Sequence, residues 1–174
     1  LAAFRKQGLT VYSLYIACRP GSENPYPEGL DKALEKLEGT STTLWLTVQG
    51  KTNDEDTVRV IRKMADDAKK RGVKIALYPH YGFYVATTED ALRVAEKVDR
   101  ENVGVSINLC HELRSGKGPK LDQIIKKAAP RLMLVSINGA DREGKSWDRL
   151  IQTLDKGDFD VLSFLKRLKA AGYS

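Results

Sequence analysis

The sequence holds only two cysteines and two histidines in 174 residues, which excludes a disulfide scaffold and a cysteine-rich zinc module. Cys18 and Cys110 stand alone, without metal-ligand spacing, and read as reduced core residues. No apolar run approaches the roughly 20 residues that a membrane span requires, so no membrane partner is expected. The Gly-x-Gly-x-x-Gly turn of dinucleotide-binding folds is missing as well. Residues 1–8 lack the features of a signal peptide and read as the tail of a helix, so a leader ahead of them stays open and the compartment is undecided. The net charge of +6 is not gathered into a basic stripe. Basic and acidic residues alternate, as at 66–71 and 122–127, in the manner of solvated helix faces, which argues against nucleic acid as a partner.

What is present is a period. Five apolar, β-branched-rich runs occupy residues 9–17, 43–48, 73–78, 103–109 and 132–137, beginning 34, 30, 30 and 29 residues apart. Each is near-continuously apolar, as strands buried on both faces of a parallel sheet are. Helical stretches lie between them. Residues 54–71 place Val58, Ile61, Met64, Ala65 and Ala68 at helical spacing and stop at Gly72. Thr88 offers an N-cap followed by Glu89 and Asp90. Residues 121–129 end at Pro130, and 159–171 end at Gly172.

A strand and a helix every thirty residues is a βαβ repeat with right-handed crossovers. Eight such units need about 250 residues. Five are present here, so the expected fold is α/β: parallel (β/α) units of a TIM barrel, incomplete at about five of eight strands, within a single domain over 1–174. The rival is a complete five-stranded doubly wound sheet. It would call for a helix soon after the first strand, where a proline-rich loop over 19–27 stands instead. An incomplete barrel leaves two sheet edges that invite pairing with another copy of the chain.

In a barrel, chemistry sits at the C-terminal ends of the strands. Arg19, Gln49, Lys51, Tyr78, His80, Tyr81, Asn108, His111, Glu112, Ser136, Asn138, Asp141 and Arg142 fall there. Both histidines are among them, and His80 and His111 are the candidate acid–base groups. Tyr78, Tyr81, Asn108, Glu112, Asn138, Asp141 and Arg142 are candidate substrate contacts, with the aromatic rings suited to a sugar's apolar face. Each has a plainer reading. His80 could donate to a carbonyl or cap a helix, and His111 could pair with Glu112. Tyr78, Tyr81, Phe83 and Tyr84 could simply pack the rim. Residues 138–141 could be no more than a turn, with Asp141 holding Arg142 or capping the helix near Trp147.

The segments Ser-Ile-Asn-Gly-Ala-Asp at 136–141, Val-Ser-Ile-Asn-Leu-Cys-His at 105–111 and Ala-Leu-Tyr-Pro-His-Tyr-Gly at 76–82 resemble the sugar phosphate isomerase/epimerase family, the xylose-isomerase-like TIM barrels related to the AP endonuclease 2 group. The resemblance runs along essentially the whole chain and corresponds to the third to seventh barrel strands. It implies one divalent metal held by Glu, Asp, His and Glu from successive strands. Carried over, the first Glu falls at Tyr78, the Asp at Asn108 and the His at Asn138, with His111 as the family's accompanying histidine. The last Glu has no counterpart in this chain. Two carboxylates and an imidazole are thus replaced by a phenol and two neutral amides, which are poor partners for a hard cation. No cofactor is therefore expected at the family site, and at most a weakly held zinc or manganese through His80 and His111.

The resemblance implies a small sugar or sugar phosphate as partner and proton transfer next to its carbonyl, by an isomerase or epimerase or a keto-sugar lyase or hydratase. The alternative is a catalytically lapsed, metal-free carbohydrate-binding barrel. Endonuclease chemistry on abasic DNA depends on a cluster of metal ligands, and the three replacements count against it.

Overall fold

The apolar runs form five parallel strands because each presents aliphatic residues to the covering helices and is followed by a helical connection that returns the chain to the same edge, although the expected burial of apolar residues on both faces holds for one face only. In the computed structural model, which describes residues 2–173, they are β1 (Ser13–Cys18), β2 (Thr43–Val48), β3 (Ile75–Leu77), β4 (Val103–Asn108) and β5 (Leu132–Ser136). Leu1 and Ser174 lie outside the described residues. The strand order is β1-β2-β3-β4-β5, all neighbours parallel. A doubly wound sheet reverses its order at a switch point. This sheet does not, and it is an arc of a barrel.

The helices are α1 (Ala2–Lys6), α2 (Leu30–Leu37), α3 (Asp54–Lys69), α4 (Thr88–Val98), α5 (Leu109–Arg114), α6 (Leu121–Ala128), α7 (Trp147–Leu150) and α8 (Val161–Ala170). None among the described residues is long and apolar enough to cross a membrane. One face of the sheet is covered. Leu44, Leu46, Val48, Ile75, Leu77, Val103, Val105 and Ile107 are buried in one cluster with Ile61, Met64 and Ala65 of α3 and Val94 and Ala95 of α4. The opposite face, the barrel interior, carries Tyr15, Trp45, Thr47, Ser106 and Asn108 at every second position. Cys18 and Cys110 are free and buried, and burial pushes the Cys18 thiol up to about 12.

Several boundaries differ from the sequence reading. The first strand starts at Ser13 rather than residue 9. β3 is only three residues long because, after Tyr78 N–H donates to Leu46 O (2.8 Å), Pro79 has no N–H to continue the ladder. The N-cap of α4 is Thr87, not Thr88. Its hydroxyl accepts from Asp90 N–H (3.2 Å), and the Asp90 carboxylate takes Thr87 N–H in return (3.0 Å), a capping box. The short α2, α5 and α7 had no periodic signature long enough to read. Most consequential is α5, which starts directly at the end of β4 with no intervening loop.

Candidate active site at the strand C-termini

Beyond β3 the chain folds back through a turn at residues 80–83, closed by Phe83 N–H donating to His80 O (2.9 Å). Gly82 sits at its third position with φ of 86°, which a type II turn requires and other residues resist. Tyr84 ties this segment down. Its N–H donates to Val48 O (3.1 Å) and its hydroxyl donates to Asp54 Oδ1 (2.6 Å). Asp54 at the start of α3 also pairs with Arg93 and Lys97 of α4. Those bonds, with Arg93 first, hold its carboxyl well below the usual carboxylate range.

The turn brings His80 and His111 together. Their ring centroids are 4.1 Å apart, His80 is stacked on Phe83 at 4.0 Å, and Tyr78 stands edge-on to both histidines at 6.0 and 5.9 Å. The backbone of Tyr81 fixes both rings. His80 Nδ1 lies 2.9 Å from Tyr81 O, and a carbonyl only accepts, so this nitrogen carries the proton. Tyr81 N–H donates to His111 Nδ1 (3.1 Å), so that nitrogen presents a lone pair. Burial, then the neighbouring His80, pushes His111 down to about 4, which keeps it neutral with its proton on Nε2. In its neutral form His80 thus offers a lone pair at Nε2, and His111 an N–H at Nε2.

His111 and Glu112 are consecutive on α5, about 100° apart around its axis, and they do not pair. His111, 5% exposed, faces the rim. Glu112 is enclosed against α4, where Oε1 accepts from Thr88 N–H (2.6 Å) and Thr88 Oγ1 (2.8 Å) while Oε2 has no partner. Burial pushes its carboxyl up. This residue was expected among the substrate contacts, but the structure joins it to the α4 N-terminus instead, with no surface toward a ligand.

Trp45 stacks on Tyr78 at 4.3 Å and donates its indole N–H to Ser106 Oγ (2.7 Å), which donates to Leu77 O (2.9 Å). Tyr15 stands edge-on to Tyr78 at 5.5 Å. Trp147 of α7 approaches His111 at 5.2 Å and Tyr81 at 6.1 Å. Tyr15, Trp45 and Ser106 escaped the sequence reading because single aromatic or small polar residues inside an apolar run look like core. Stepping back by two from Asn108 reaches Ser106, and that parity was the available signal.

The last strand's residues go elsewhere. Asn138 donates through Nδ2 to Gly139 O (2.7 Å) and Leu150 O (2.5 Å). Gly139 forms an antiparallel bridge with Gln152 and lies so close to Thr153 that any Cβ would collide with its carbonyl. Residues 138–141 are therefore one side of a bridge, not a simple turn. Asp141 pairs with Arg149 and accepts from Gln152 Nε2 (3.0 Å), and it neither holds Arg142 nor caps α7. Arg142 N–H donates to Asp158 Oδ1 (2.6 Å).

The donors at the three carried-over positions do not fit a divalent cation. Burial pushes the Tyr78 phenol up, against the pull of the neighbouring Asn108. Asn108 Oδ1 accepts from the Cys110 thiol (3.2 Å), and the Asn138 amide is engaged as described. Among the described residues no three His, Cys, Asp or Glu side chains gather into a metal-holding group.

The family model described as xylose isomerase-like TIM barrel matches residues 2–174. No curated protein matches the chain. Among solved structures, the IolI protein with a bound zinc atom superposes with a TM-score of 0.71 at 21% identity, covering 99% of this chain and 68% of its own. A 3-keto-D-glucoside 4-epimerase from E. coli gives 0.71 at 16%, covering 99% and 72%. A D-allulose 3-epimerase from Methylomonas sp., in complex with D-allulose, gives 0.74 at 21%, covering 99% and 64%. The chain thus spans roughly two thirds of the length of these relatives. The model match and the arc of parallel strands agree, and this chain belongs to the xylose isomerase-like TIM barrel family.

Proposed function

We propose that the protein carrying this chain moves a proton next to the carbonyl of a keto-sugar, in an epimerase or isomerase reaction that does not use a metal at Tyr78, Asn108 and Asn138. The observation that carries this is the complementary pair of tautomers fixed by the Tyr81 backbone. His80 Nε2 takes the proton from the carbon beside the carbonyl. His111 Nε2–H donates to the carbonyl oxygen as negative charge develops there, a role that suits a neutral imidazole better than a free imidazolium. Return of the proton from His80 to the neighbouring carbon on the same face gives an isomer, whereas protonation of the original carbon from the opposite face by water, with His80 then losing its proton to solvent, gives an epimer. Tyr81 and Trp147, 42% and 40% exposed, offer ring faces to the sugar's C–H groups. A keto-sugar is also the class named for the allulose-bound relative. We read residues 1–174 as one domain and small sugars, free or phosphorylated, as its partners.

The test is deuterium exchange. Keto-sugars are incubated with the protein in D2O with a chelator, and loss of the proton beside the carbonyl is followed by NMR. Exchange that persists with the chelator and falls about 100-fold or more in His80→Asn supports the reading. Exchange that vanishes with the chelator and returns with manganese overturns it in favour of a metal enzyme. Saturable sugar binding without exchange would identify the lapsed, carbohydrate-binding alternative.

A further inference from the structure

A cavity of about 680 Å³ lies where the end of α5, residues 142–145 and the first turns of α8 meet. Neither histidine lines it. Its wall carries Arg114, Arg142, Lys145 and Arg167 against two acids, Glu143 and Asp160. Asp160 is already engaged, since its Oδ1 caps α8 by accepting from Ser163 N–H (2.8 Å). Arg167 pairs with Asp122 at 2.7 Å. The side chains of Arg114, Arg142 and Lys145 have no carboxylate partner among the described residues.

Arg114 is the most telling of the three. Its guanidinium lies over the rings of Tyr81 (5.0 Å) and Trp147 (5.8 Å) and donates to Lys145 O, yet its Nε is buried with no acceptor. A buried N–H of a charged group left without an acceptor is costly, and three uncompensated cations on one concave wall repel one another. An oxyanion in the cavity offsets that repulsion by pairing with the cationic ends of these side chains. A single carboxylate would leave most of the charge unmatched, whereas a phosphate brings nearly two negative charges and three acceptor oxygens.

We infer that this cavity binds a phosphate group through Arg114, Arg142 and Lys145. It lies beside the histidine cluster and is joined to it by the Arg114–Trp147–His111 contacts. The inference stands whether or not the proton-transfer reading holds. The phosphate could be inorganic or carried on a sugar that reaches the histidines, and the two sources bind differently.

Trp147, 5.8 Å from the Arg114 guanidinium, is one of only two tryptophans and reports on occupancy through its fluorescence. The protein is titrated with inorganic phosphate at constant ionic strength set by chloride. A saturable change is expected, with affinity at least tenfold weaker in Arg142→Gln/Lys145→Gln. Because Arg142 also contacts the 158 loop, Lys145→Glu is the second variant. Its ammonium makes no bond among the described residues, so it should keep the wild-type melting temperature while losing phosphate. A chloride-like, non-saturating response, or unchanged affinity in Lys145→Glu, overturns the site. A ketose phosphate binding more than tenfold tighter than both phosphate and the free ketose supports a site for a phosphorylated sugar. Equal affinity for phosphate and ketose phosphate supports a free-standing phosphate site. His80→Asn should leave the titration unchanged, which separates this inference from the catalytic one.

Discussion

The two faces of the one sheet are built on opposite principles. Under the helices, β2, β3 and β4 present an almost solid layer of Leu, Ile and Val, sealed against α3 and α4. On the interior face β2 and β4 present Trp45, Thr47, Ser106 and Asn108, which bond to one another, to the backbone or, for Asn108, to the Cys110 thiol rather than merely packing. The first face derives its stability from area removed from water. The second holds polar groups in fixed geometry, which is what a site needs. Both come from one strand because successive side chains alternate.

The largest test of that contrast removes one side chain from each face. Leu46→Ala should cost about 2–5 kcal/mol in urea unfolding, as truncations in a sealed core do. Tyr15→Ala, on a residue 49% exposed that meets Tyr78 edge-on and accepts from Thr47 Oγ1 (3.3 Å), should cost about 1 kcal/mol. Equal losses would mean that the interior face is as tightly packed as the other.

The neighbours His111 and Glu112 sharpen the comparison through pH. His111 is held down to about 4 in the folded chain, against an ordinary value of 6.5. The unfolded chain therefore binds the proton first as pH falls. The fold should lose up to about 3 kcal/mol between pH 6.5 and 4, and His111→Asn should remove that slope. Glu112 behaves in the opposite sense. Its carboxyl is raised by burial, so its contribution is full below the ordinary value of 4.5 and is lost as pH rises through the folded value. Denaturant curves across pH, compared between wild type and each variant, read both signs.

Glu112→Ala leaves Thr88 N–H without its acceptor, while the hydroxyl keeps Ser106 O (3.3 Å), and should cost about 1–3 kcal/mol. Glu112→Gln keeps an acceptor oxygen and should cost less while abolishing the alkaline loss. A smaller effect comes from Tyr84→Phe, which removes only the bond to Asp54 and should cost about 1.5 kcal/mol. Because Tyr84 anchors the turn of His80, it should also slow deuterium exchange by more than its stability cost explains. Exchange at the wild-type rate would show that the turn holds itself.

The parallel sheet, its period and the three central connecting helices were legible because aliphatic runs every thirty residues have few other ways to be buried. The meeting of the strand ends was legible too, and it singled out His80 and His111 from the whole chain. How their rings are held there was not. Whether Glu112 points at a ligand or at Thr88 depends on α5 starting without a loop, which places consecutive residues on different sides of a helix. Which nitrogen of each histidine holds the proton depends on the Tyr81 backbone, positioned by a glycine at φ 86° and by a phenol reaching a carboxylate thirty residues away. Alternation and periodicity are properties of neighbouring residues, so the sequence alone determined them. Tautomers, orphaned donors and the cluster of unpaired cations arise between residues distant in the chain, and only the tertiary structure decided them.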